Sequence, residues 1–482
     1  MQGLTLESRE PMKVARQLVG GLWTDEKGGR MLYEHEGSFY EWDGKVWCVR
    51  TVAEVEDGLW TMLEDAKEIV SEKEGVQVAE RFHPDINKVR NVRRALEAIT
   101  RGEFEAIPTW LGGGGDKPDI GHVIAFKNCL VDVRASAAKL RETGKMEYVV
   151  VERGREFFSP CVAPVEFKEK ALCPTWESCM EEWGAGDEKW TELRERMYGY
   201  ALMGTRKYAK WLLEYGKVRG GKGSGTRVLK RLLPHPMFFG VKMEELADGF
   251  GLDGVDVCSV LCISEASDLD NRTGERVSSL LKSVLGEDTL TVNAKYLRQK
   301  KDVVIRALPI VQSNQMLTLP NTARGLSSKM VALGFENSFE GREDFELGRK
   351  LDGELAGIAR RFVDAAIRLE AEEDPRKKFE MPGSSQDVIR KFDRESNLFD
   401  AFLDDCFVKN RGGWVHNDKV RELRRWWEKE NGYTIRDNRR AQVSQMHFPK
   451  KLCELSSWGV SQTRGEEKRG VKGLSVRREL VR

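Results

Sequence analysis

Residues 215–233 read YGKVRGGKGSGTRVLKRLL, and this stretch decides the fold class. It nearly fits the pattern G-x-x-x-x-G-K-[ST]. Gly216, Gly221 and Lys222 are in place, but a third glycine follows the lysine and a hydroxyl appears only at Ser224. In such a loop the glycines let backbone N–H groups close on a phosphate, and the lysine supplies positive charge. The pattern alone leaves two interpretations open: a phosphate-binding loop and a glycine-rich basic surface loop.

The segments on either side of the loop favour phosphate binding. Upstream, KYAKWLLEY (207–215) has the length and apolar content of a buried strand. Downstream, SGTRVLKRLL (224–233) has the spacing of an amphipathic helix. A strand, a glycine loop and a helix in this order are the context that a phosphate loop requires. The sequence therefore predicts an α/β nucleotide-binding domain.

Polar residues end two later apolar segments. VCSVLCISE (257–265) is a predicted strand that ends in Glu265. VVIRALPIVQSN (303–314) is a second one that ends in Asn314, although Pro309 weakens this prediction because proline lacks a ladder donor. A phosphate loop needs an acid for magnesium and a polar residue that positions water. A single polar residue at the end of a strand usually belongs to a turn. Two of them in order after one glycine loop predict a ligand crevice at the carboxyl edge of a sheet.

The bulk composition is that of a charge-rich protein of two to four domains. The 482 residues are 40% hydrophobic and 33% charged, with a net charge of +1. Residues 411–482 contain 18 Lys or Arg and 9 Asp or Glu, a net charge of +9, which predicts a polyanionic partner for this end. The nine cysteines form no CxxC pair, which indicates a reducing compartment. Without a signal-peptide pattern or a membrane-spanning run, we expect a cytoplasmic protein.

The chain divides into four predicted parts. Glycine turns between short aromatic stretches predict a β-hairpin or meander at 20–60, and a helical pattern runs from 53 to 100. Near the end, helices followed by two strands around a charged turn predict a winged helix, in which RRAQVSQMHFPKKL (439–452) would enter a DNA groove. The predicted parts are an N-terminal α+β region (1–185), a nucleotide-binding domain (186–372), a linker (373–386) and a basic winged-helix-like DNA-binding domain (387–482).

Further motifs give the sequence a resemblance to a known family. Besides the loop, they are FYEWDGKVW (39–47), PTW (108–110), KNCLVDV (127–133), FGLDGVDVCSVLCISEASD (250–268), LLKSVLGEDTLTVNAKY (280–296), VQSNQMLTLPNTARGLSSK (311–329), NSFEGREDFELGRKLDGELAGI (337–358), LFDAFLDDCF (398–407) and RELRRWWEKENG (421–432). Over more than 400 residues their order and spacing resemble the superfamily 3 helicase region of phage and plasmid DNA primases, a family of AAA+ ATPases. We expect no primase catalytic domain in these 482 residues.

This resemblance implies an α/β fold with an AAA+ type P-loop ATPase core, a mixed α/β N-terminal region and a C-terminal winged-helix-like domain. Glu265 would bind Mg²⁺ together with Ser224 and would polarise water, and Asn314 would orient that water. Lys295 would face a central channel and contact single-stranded DNA. The implied nucleotide-binding residues are Gly216, Gly220, Gly221, Lys222, Gly223 and Ser224.

Three positions depart from the family pattern. Ser267 stands where an arginine is expected two residues after the acid, and Ala294 stands where a second basic residue is expected beside Lys295. The arginine-finger position, which would reach the γ-phosphate of a neighbouring subunit, holds Lys329. Lysine keeps the charge but lacks the planar fork of arginine. Arg324, five residues earlier, could substitute for it.

The expected function is an ATP-dependent DNA helicase or replication initiator of a phage, a plasmid or another mobile element. It would hydrolyse ATP with Mg²⁺ at the subunit interfaces of a homo-oligomeric ring, which we expect to be a hexamer. Single-stranded DNA would pass through the channel, duplex DNA would bind the C-terminal domain, and a separate primase or polymerase would be a partner. Two alternatives stay open: a DNA-binding replication scaffold with a weakly active, nucleotide-binding ATPase, and a small-substrate kinase. The long match downstream of the loop argues against the kinase.

Overall fold

The computed structural model divides the chain into two compact units. The first holds residues 1–171 with two short pieces, 202–205 and 232–237, and the second holds the remaining residues. Within the described ranges, every helix is too short or too polar to cross a membrane. The described residues are 4–73, 76–105, 107–113, 115–235, 237–242, 245, 255, 258–264, 271–292, 300–317, 319, 323–431, 448–463 and 469–480.

The first unit is a mixed α/β assembly of small sheets. Helices α1 to α3 and the strands beside them enclose an apolar core of buried Leu, Val, Ala, Phe and Trp side chains. The sheets have the strand orders β1-β5-β6, β2-β3-β4, β10-β9-β8 and β11-β7. Its elements are β1 (Thr5–Leu6), α1 (Pro11–Leu22), β2 (Leu32–His35), β3 (Ser38–Trp42), β4 (Trp47–Arg50), α2 (Val52–Glu64), β5 (Lys67–Lys73), β6 (Val76–Arg81), α3 (Ile86–Thr100), β7 (Thr109–Trp110), β8 (Val123–Ala125), β9 (Leu130–Asp132), α4 (Val133–Thr143), β10 (Val149–Val151) and β11 (Phe157–Phe158).

The N-terminal meander is confirmed, but the helix expected from 53 to 100 is not continuous. Strands β2, β3 and β4 pair antiparallel, and Gly37 and Gly44 adopt positive φ in the two turns between them. Between α2 and α3 the chain forms the antiparallel hairpin β5–β6, so the prediction of helix there was wrong. Ile, Val and alternating polar residues in KEIVSEK and VQVAER favour strand over helix.

The second unit contains a five-stranded sheet, a helical layer and a C-terminal α/β subdomain. Its helices are α5 (Pro174–Trp183), α6 (Glu188–Leu202), α7 (Lys222–Leu232), α8 (Asn271–Gly286), α9 (Ala323–Ser327), α10 (Leu347–Gly353), α11 (Leu355–Ala371), α12 (Gly383–Ser396), α13 (Leu398–Cys406), α14 (Asn417–Glu430) and α15 (Phe448–Leu455). Its strands are β12 (Trp211–Gly216), β13 (Phe238–Lys242), β14 (Val260–Ser264), β15 (Thr289–Val292), β16 (Lys300–Val304), β17 (Leu308–Ser313), β18 (Met330–Phe335), β19 (Phe407–His416), β20 (Ser461–Thr463) and β21 (Gly470–Val476).

The central sheet is entirely parallel and has the order β13-β14-β17-β12-β18. Strands β12, β14, β17 and β18 are nearly continuous buried apolar runs, as expected for strands covered on both faces. Because the strands are parallel, their carboxyl ends lie at one edge of the sheet. The loop of residues 217–221 and Asn314 both follow strands at that edge.

The segment 303–314 forms two strands, and not one as predicted. Strand β16 ends at Val304, and strand β17 begins at Leu308. Strand β17 pairs with β14 on one side and with β12 on the other. Pro309 is the second residue of this central strand. The donor that proline lacks is therefore missing only where the strand begins.

The C-terminal subdomain has its own apolar core, built by α13, α14, α15 and the antiparallel sheet β19-β21-β20. The two strands expected at 460–480 are confirmed as β20 and β21. Helix α12 packs elsewhere: its Val388 and Phe392 belong to the core of the parallel sheet. The four-part domain division proposed from the sequence, with boundaries at 185, 372 and 386, stays a prediction.

Candidate functional site

The loop between β12 and α7 has a backbone that only glycine permits at two places. Gly216 has a φ of +144°, and a Cβ there would clash with the carbonyl oxygen of Phe335. Gly221 has a φ of +97°, and a Cβ there would lie 2.3 Å from Nε1 of Trp183. Both residues bring the backbone close to neighbouring groups, which is the usual reason for glycine in a phosphate-binding loop.

The first turn of α7 follows the loop directly, since this helix begins at Lys222. A helix N-terminus leaves N–H groups without partners in the helix, and these groups and the helix dipole attract anions. Gly223 has open space around its Cα, with no atom within 4 Å of an added Cβ. Gly220 is tighter, because a Cβ there would lie 2.9 Å from the carbonyl oxygen of Asn337.

Lys222 is the cation of the loop. It is 8% exposed, and its Nζ donates to the carbonyl oxygens of Gly216 at 2.8 Å and Lys217 at 2.6 Å. Burial lowers the pKa of Lys222 below its usual value, and the nearby Glu214 carboxylate opposes part of this shift. The ammonium group is therefore held over the loop at an energetic cost that a bound anion would relieve.

A cleft of about 1400 Å³ opens in front of the loop. The ends of β14 and β17, helices α5 and α7 and the segment 339–352 form its walls. Its lining includes Val218, Arg219, Gly220, Gly221, Lys222, Gly223, Ser224, Arg227, Arg231, Ser264, Gln312, Asn314, Arg342, Phe345 and Lys350. This volume lies above the range of a typical small-ligand site, about 300–1000 Å³, so a nucleotide would fit.

The rim of the cleft is cationic, and three of the acids that line it, Glu343, Asp344 and Asp352, are paired with basic side chains. Asp352 lies 3.3 Å from Arg231. Asp344 accepts from Lys350 at 2.6 Å, and this hydrogen bond lowers the pKa of the carboxyl group. Among the residues that the structure describes, Arg227 on α7 has no acid within ion-pair distance, so its charge makes the cleft attractive to an anion.

Behind the loop lies a buried ion pair that the sequence did not reveal. Arg194 of α6 and Glu214 of β12 are both 0% exposed, and Nε of Arg194 donates to Oε1 of Glu214 at 2.9 Å. The guanidinium also donates to the carbonyl oxygen of Lys222 at 3.3 Å. Gly225 makes room for it, since a Cβ there would clash with Nη2 of Arg194. The pair therefore supports the first turn of α7 from below.

Aromatic rings surround the buried guanidinium. Its central carbon lies 5.0–5.5 Å from the ring centroids of Trp183, Trp190, Tyr198 and Phe335. Burial lowers the pKa of Arg194, but the Glu214 carboxylate and the Tyr198 hydroxyl together outweigh that effect, so the pKa is raised. The signal available in the sequence was one acid in the apolar segment WLLEYG, whereas Arg194 stands in the charged stretch TELRER (191–196) and gave no such signal.

The structure brings most of the predicted nucleotide-binding residues and Asn314 to one cleft. Gly216 is the last residue of β12, and the other predicted nucleotide-binding residues, Gly220, Gly221, Lys222, Gly223 and Ser224, belong to the loop and the first turn of α7. Asn314 directly follows β17, is exposed and lines the same cleft. Glu265 and Lys295 lie outside the described residues. Ser264, which precedes Glu265, lines the cleft at the end of β14.

Lys329 lies at the opposite edge of the sheet. It directly precedes β18, is half-buried, and its Nζ donates to the carbonyl oxygen of Leu285 at 3.1 Å. Arg324 belongs to helix α9, which precedes β18 and lies near the same edge of the sheet. The Lys329 side chain is thus separated from the cleft by the length of β18.

Magnesium fits the site as an ion carried by a nucleotide. In the described part of the chain, no three His, Cys, Asp or Glu side chains cluster to hold a metal. Mg²⁺ usually keeps several waters and binds one or two protein oxygens together with substrate phosphates. The half-exposed Ser224 hydroxyl, which accepts from Arg227 at 3.0 Å, is an oxygen of this kind.

Comparison with known proteins gives a family match for the N-terminal part. Residues 20–183 match the family model described as D5 N terminal like. No curated protein matches the chain. Among solved structures, the apo structure of the NrS-1 C-terminal region is similar at 12% identity and a TM-score of 0.47, covering 97% of this chain and 100% of that one. Two A-form apo structures of the same region have TM-scores of 0.41 and 0.40 at 11% identity, covering 71% and 73% of this chain and 90% and 96% of theirs.

Proposed function

We propose that the chain is an ATP-dependent DNA helicase or replication initiator of a phage, a plasmid or another mobile element, with an AAA+ type P-loop ATPase core of superfamily 3. One observation carries the proposal. A strand, a glycine-dependent loop and a helix hold Lys222 at the base of a cationic cleft, at the carboxyl edge of a parallel sheet. The D5 N terminal like match over residues 20–183 supports it from a separate part of the chain.

In this proposal the loop amides and the first turn of α7 bind the β- and γ-phosphates, and Lys222 exchanges its two carbonyl partners for phosphate oxygens. Bound Mg²⁺ would neutralise charge on the phosphates as the γ-phosphoryl group transfers. Ser224 is its proposed protein ligand, with Glu265 after β14. Asn314 on the neighbouring strand end orients the attacking water.

The position of Lys329 supports a site shared between subunits. Strands β12 and β18 are in register from Trp211 opposite Met330 to Gly216 opposite Phe335. At about 3.3 Å per residue, five steps place the amino edge of the sheet roughly 16 Å from the loop. Lys329 therefore cannot approach the phosphates bound by its own subunit, and in a homo-oligomeric ring, proposed to be a hexamer, it or Arg324 would act on a neighbour.

DNA binding is assigned to the C-terminal subdomain and to the channel. The order helix, strand, helix, helix, strand, strand with an antiparallel three-stranded sheet supports the winged-helix proposal. The net charge of +9 over residues 411–482 supports duplex binding. Lys295 is the proposed contact to single-stranded DNA. A separate primase or polymerase is the proposed partner.

A second candidate function is a replication scaffold that binds nucleotide but hydrolyses it weakly. Lysine at position 329 favours it, because an arginine finger contributes about 10³–10⁵ in rate and lysine lacks its fork. DNA-stimulated ATP hydrolysis separates the two functions: stimulated turnover supports the helicase, and binding without turnover supports the scaffold.

The test of nucleotide binding is Lys222→Ala, with Lys230→Ala as its matched control. Lys230 is an exposed lysine of the same helix, outside the cleft lining. We expect Lys222→Ala to abolish binding of a fluorescent ATP analogue and Lys230→Ala to leave it unchanged. If both variants bind and hydrolyse ATP like the parent chain, the phosphate-loop interpretation is wrong.

A further inference from the structure

Gln312 makes an unusual pair of contacts beneath the phosphate loop. It lies on the central strand β17, two residues before Asn314. Its Nε2 lies 2.5 Å from Oε2 of Glu214 and 2.6 Å from Oγ1 of Thr226, on the second turn of α7. One amide nitrogen thus joins the strand before the loop, the helix after it and the strand that leads to Asn314.

The chemistry of its partners fixes which way this amide points. The carboxylate of Glu214 can only accept hydrogen bonds. The hydroxyl of Thr226 donates its proton to the carbonyl oxygen of Lys222 at 2.8 Å, so towards Gln312 it can only accept. A flipped amide would place its oxygen against two acceptors. The nitrogen of Gln312 must therefore face the network, and its oxygen must face away from it.

Glu214 is itself held rigidly. Its Oε1 accepts from Nε of Arg194 at 2.9 Å and from the hydroxyl of Tyr198 at 3.0 Å, which leaves Oε2 for Gln312. Arg194, Tyr198 and Glu214 are all 0% exposed. Such a fully satisfied buried network has few alternative arrangements. It presents the Gln312 side chain in one orientation before any ligand binds.

Since the nitrogen of Gln312 is bonded to the network, its amide oxygen is the polar atom that this residue leaves for the cleft. Gln312 is half-buried and lines the cleft together with Ser264 and Asn314, at the ends of adjacent strands. Its Oε1 accepts no hydrogen bond from any residue that the structure describes. A fixed acceptor without a protein donor, at the base of a phosphate cleft, is suited to hold a water molecule.

We propose that Gln312 is a further catalytic residue, whose amide oxygen accepts a hydrogen bond from the attacking water. This inference deepens the proposed function and rests on it. In the reaction, the water oxygen forms a bond to the γ-phosphorus, while the bond from that phosphorus to the β,γ-bridging oxygen breaks and the bridging oxygen keeps the electron pair on ADP. The released proton passes to the inorganic phosphate, because an amide oxygen is too weakly basic to retain it.

The contact to Thr226 gives this water its position relative to the phosphates. Thr226 bonds the carbonyl oxygen of Lys222, the residue that begins α7 and holds the phosphates in the proposed function. Gln312 is bonded to the same hydroxyl. The water and the γ-phosphoryl group are therefore located by one hydrogen-bonded unit, which is the positioning that phosphoryl transfer demands.

The first test is Gln312→Met, which keeps the length of the side chain and removes both polar atoms. Gln386→Met on the exposed face of α12 is the matched control. We expect Gln312→Met to bind ATP within about threefold of the parent and to lower kcat about 100-fold, as when one preorganised group at a transition state is removed. Its affinity for ADP with aluminium fluoride, which mimics the transition state, should fall while its affinity for ADP does not.

A second variant covers the outcome that Gln312→Met does not fold. Gln312→Glu keeps the shape, and the new carboxyl would face Glu214, so the two acids must share a proton. Lys222 and Arg194 are the cations beside them. We expect turnover of Gln312→Glu to rise as the pH is lowered from about 8 to about 6, since the protonated acid donates to Glu214 and keeps an oxygen towards the cleft. The parent chain should not show this rise.

The outcomes separate the two proposals. If the parent hydrolyses ATP and Gln312→Met has an unchanged kcat, the role of Gln312 is refuted and the proposed function stands. If Gln312→Met folds but loses ATP binding in the same proportion as kcat, Gln312 is a structural residue and the inference is equally refuted; if it does not fold, the pH profile of Gln312→Glu decides. A pH profile of Gln312→Glu parallel to that of the parent also refutes it. If the parent binds no ATP, the proposed function fails, and the inference fails with it.

Discussion

Replacing Glu214 by glutamine should reveal how strongly the buried pair stabilises the ATPase core. Glu214→Gln keeps the size and one acceptor oxygen, so it creates no cavity, but it leaves the guanidinium of Arg194 charged and buried at 0% exposure. Removing one partner of a buried ion pair typically costs about 3–5 kcal/mol, because the remaining charge is uncompensated. We expect a loss of this size in the opening free energy of β12.

Hydrogen exchange of the β12 amides, followed by mass spectrometry on the full chain, measures this free energy locally. Since about 1.4 kcal/mol corresponds to a factor of ten, exchange within Trp211–Gly216 should become about 140- to 3700-fold faster. The control is Asp387→Asn, which removes an exposed ion pair with Arg390 on α12. This change should cost less than about 1 kcal/mol.

The double variant Arg194→Met, Glu214→Gln removes the buried charge altogether. The one oxygen of the new amide can still accept from Gln312 while its nitrogen donates to the Tyr198 hydroxyl, and methionine fills part of the aromatic cage. We expect at least half of the stability lost in Glu214→Gln to return. The reasoning is refuted if the single variant costs less than about 1 kcal/mol, or if the double variant is less stable than the single one.

Three further predictions concern the shared site, the C-terminal subdomain and pH. Mixing Lys329→Ala subunits with Lys222→Ala subunits should restore part of the ATPase activity, because mixed interfaces combine an intact loop with an intact finger. Arg324→Ala is run in parallel, and no loss of activity in either finger variant would contradict a shared site. Removing residues 398–482 keeps α12 packed on the sheet. This truncation should weaken duplex DNA binding and flatten its salt dependence, while basal ATPase activity persists. Unchanged DNA affinity would indicate that the basic C-terminal end is a solvated tail. Because burial lowers the folded pKa of Lys222, this lysine loses its charge at a lower pH than a solvent-exposed lysine, whose pKa is about 10.4. ATP affinity should therefore fall with rising pH in that alkaline window, and a Lys222→Arg chain, which stays charged, should not show the fall if it binds ATP.

The sequence predicted those features of the fold and site that depend on local pattern. The strand before the loop and the helix after it follow from apolar runs of the right length and spacing, and the glycines stand where the backbone has positive φ or no room for Cβ. The prediction of helix for 53–100 was wrong between α2 and α3, because VQVAER and KEIVSEK carry polar residues at spacings compatible with helix and with strand. These two segments form strands because they pair with each other.

The buried network could not be predicted in the same way. Arg194 and Glu214 are 20 residues apart, and their burial depends on the packing of α6 against the sheet. A charged residue in the sequence usually indicates a solvated face. A local pattern therefore does not predict that such a residue is buried against a partner from another element. Gln312 could be read only as one polar residue before Asn314, because its role depends on three elements that meet in space.

The order of strands in the parallel sheet also has a consequence for synthesis of the chain on the ribosome. Strand β12 pairs only with β17 and β18, and the last of these ends at Phe335, about 120 residues after Gly216. At a translation rate of about 5–20 residues per second, the nascent segment WLLEYG remains without both partner strands for roughly 6–24 s. During that time an apolar strand with two unpaired edges is exposed to other chains. Slower translation between β12 and β18 should therefore reduce the soluble yield of this protein, and co-expressed chaperones that cover apolar strands should raise it.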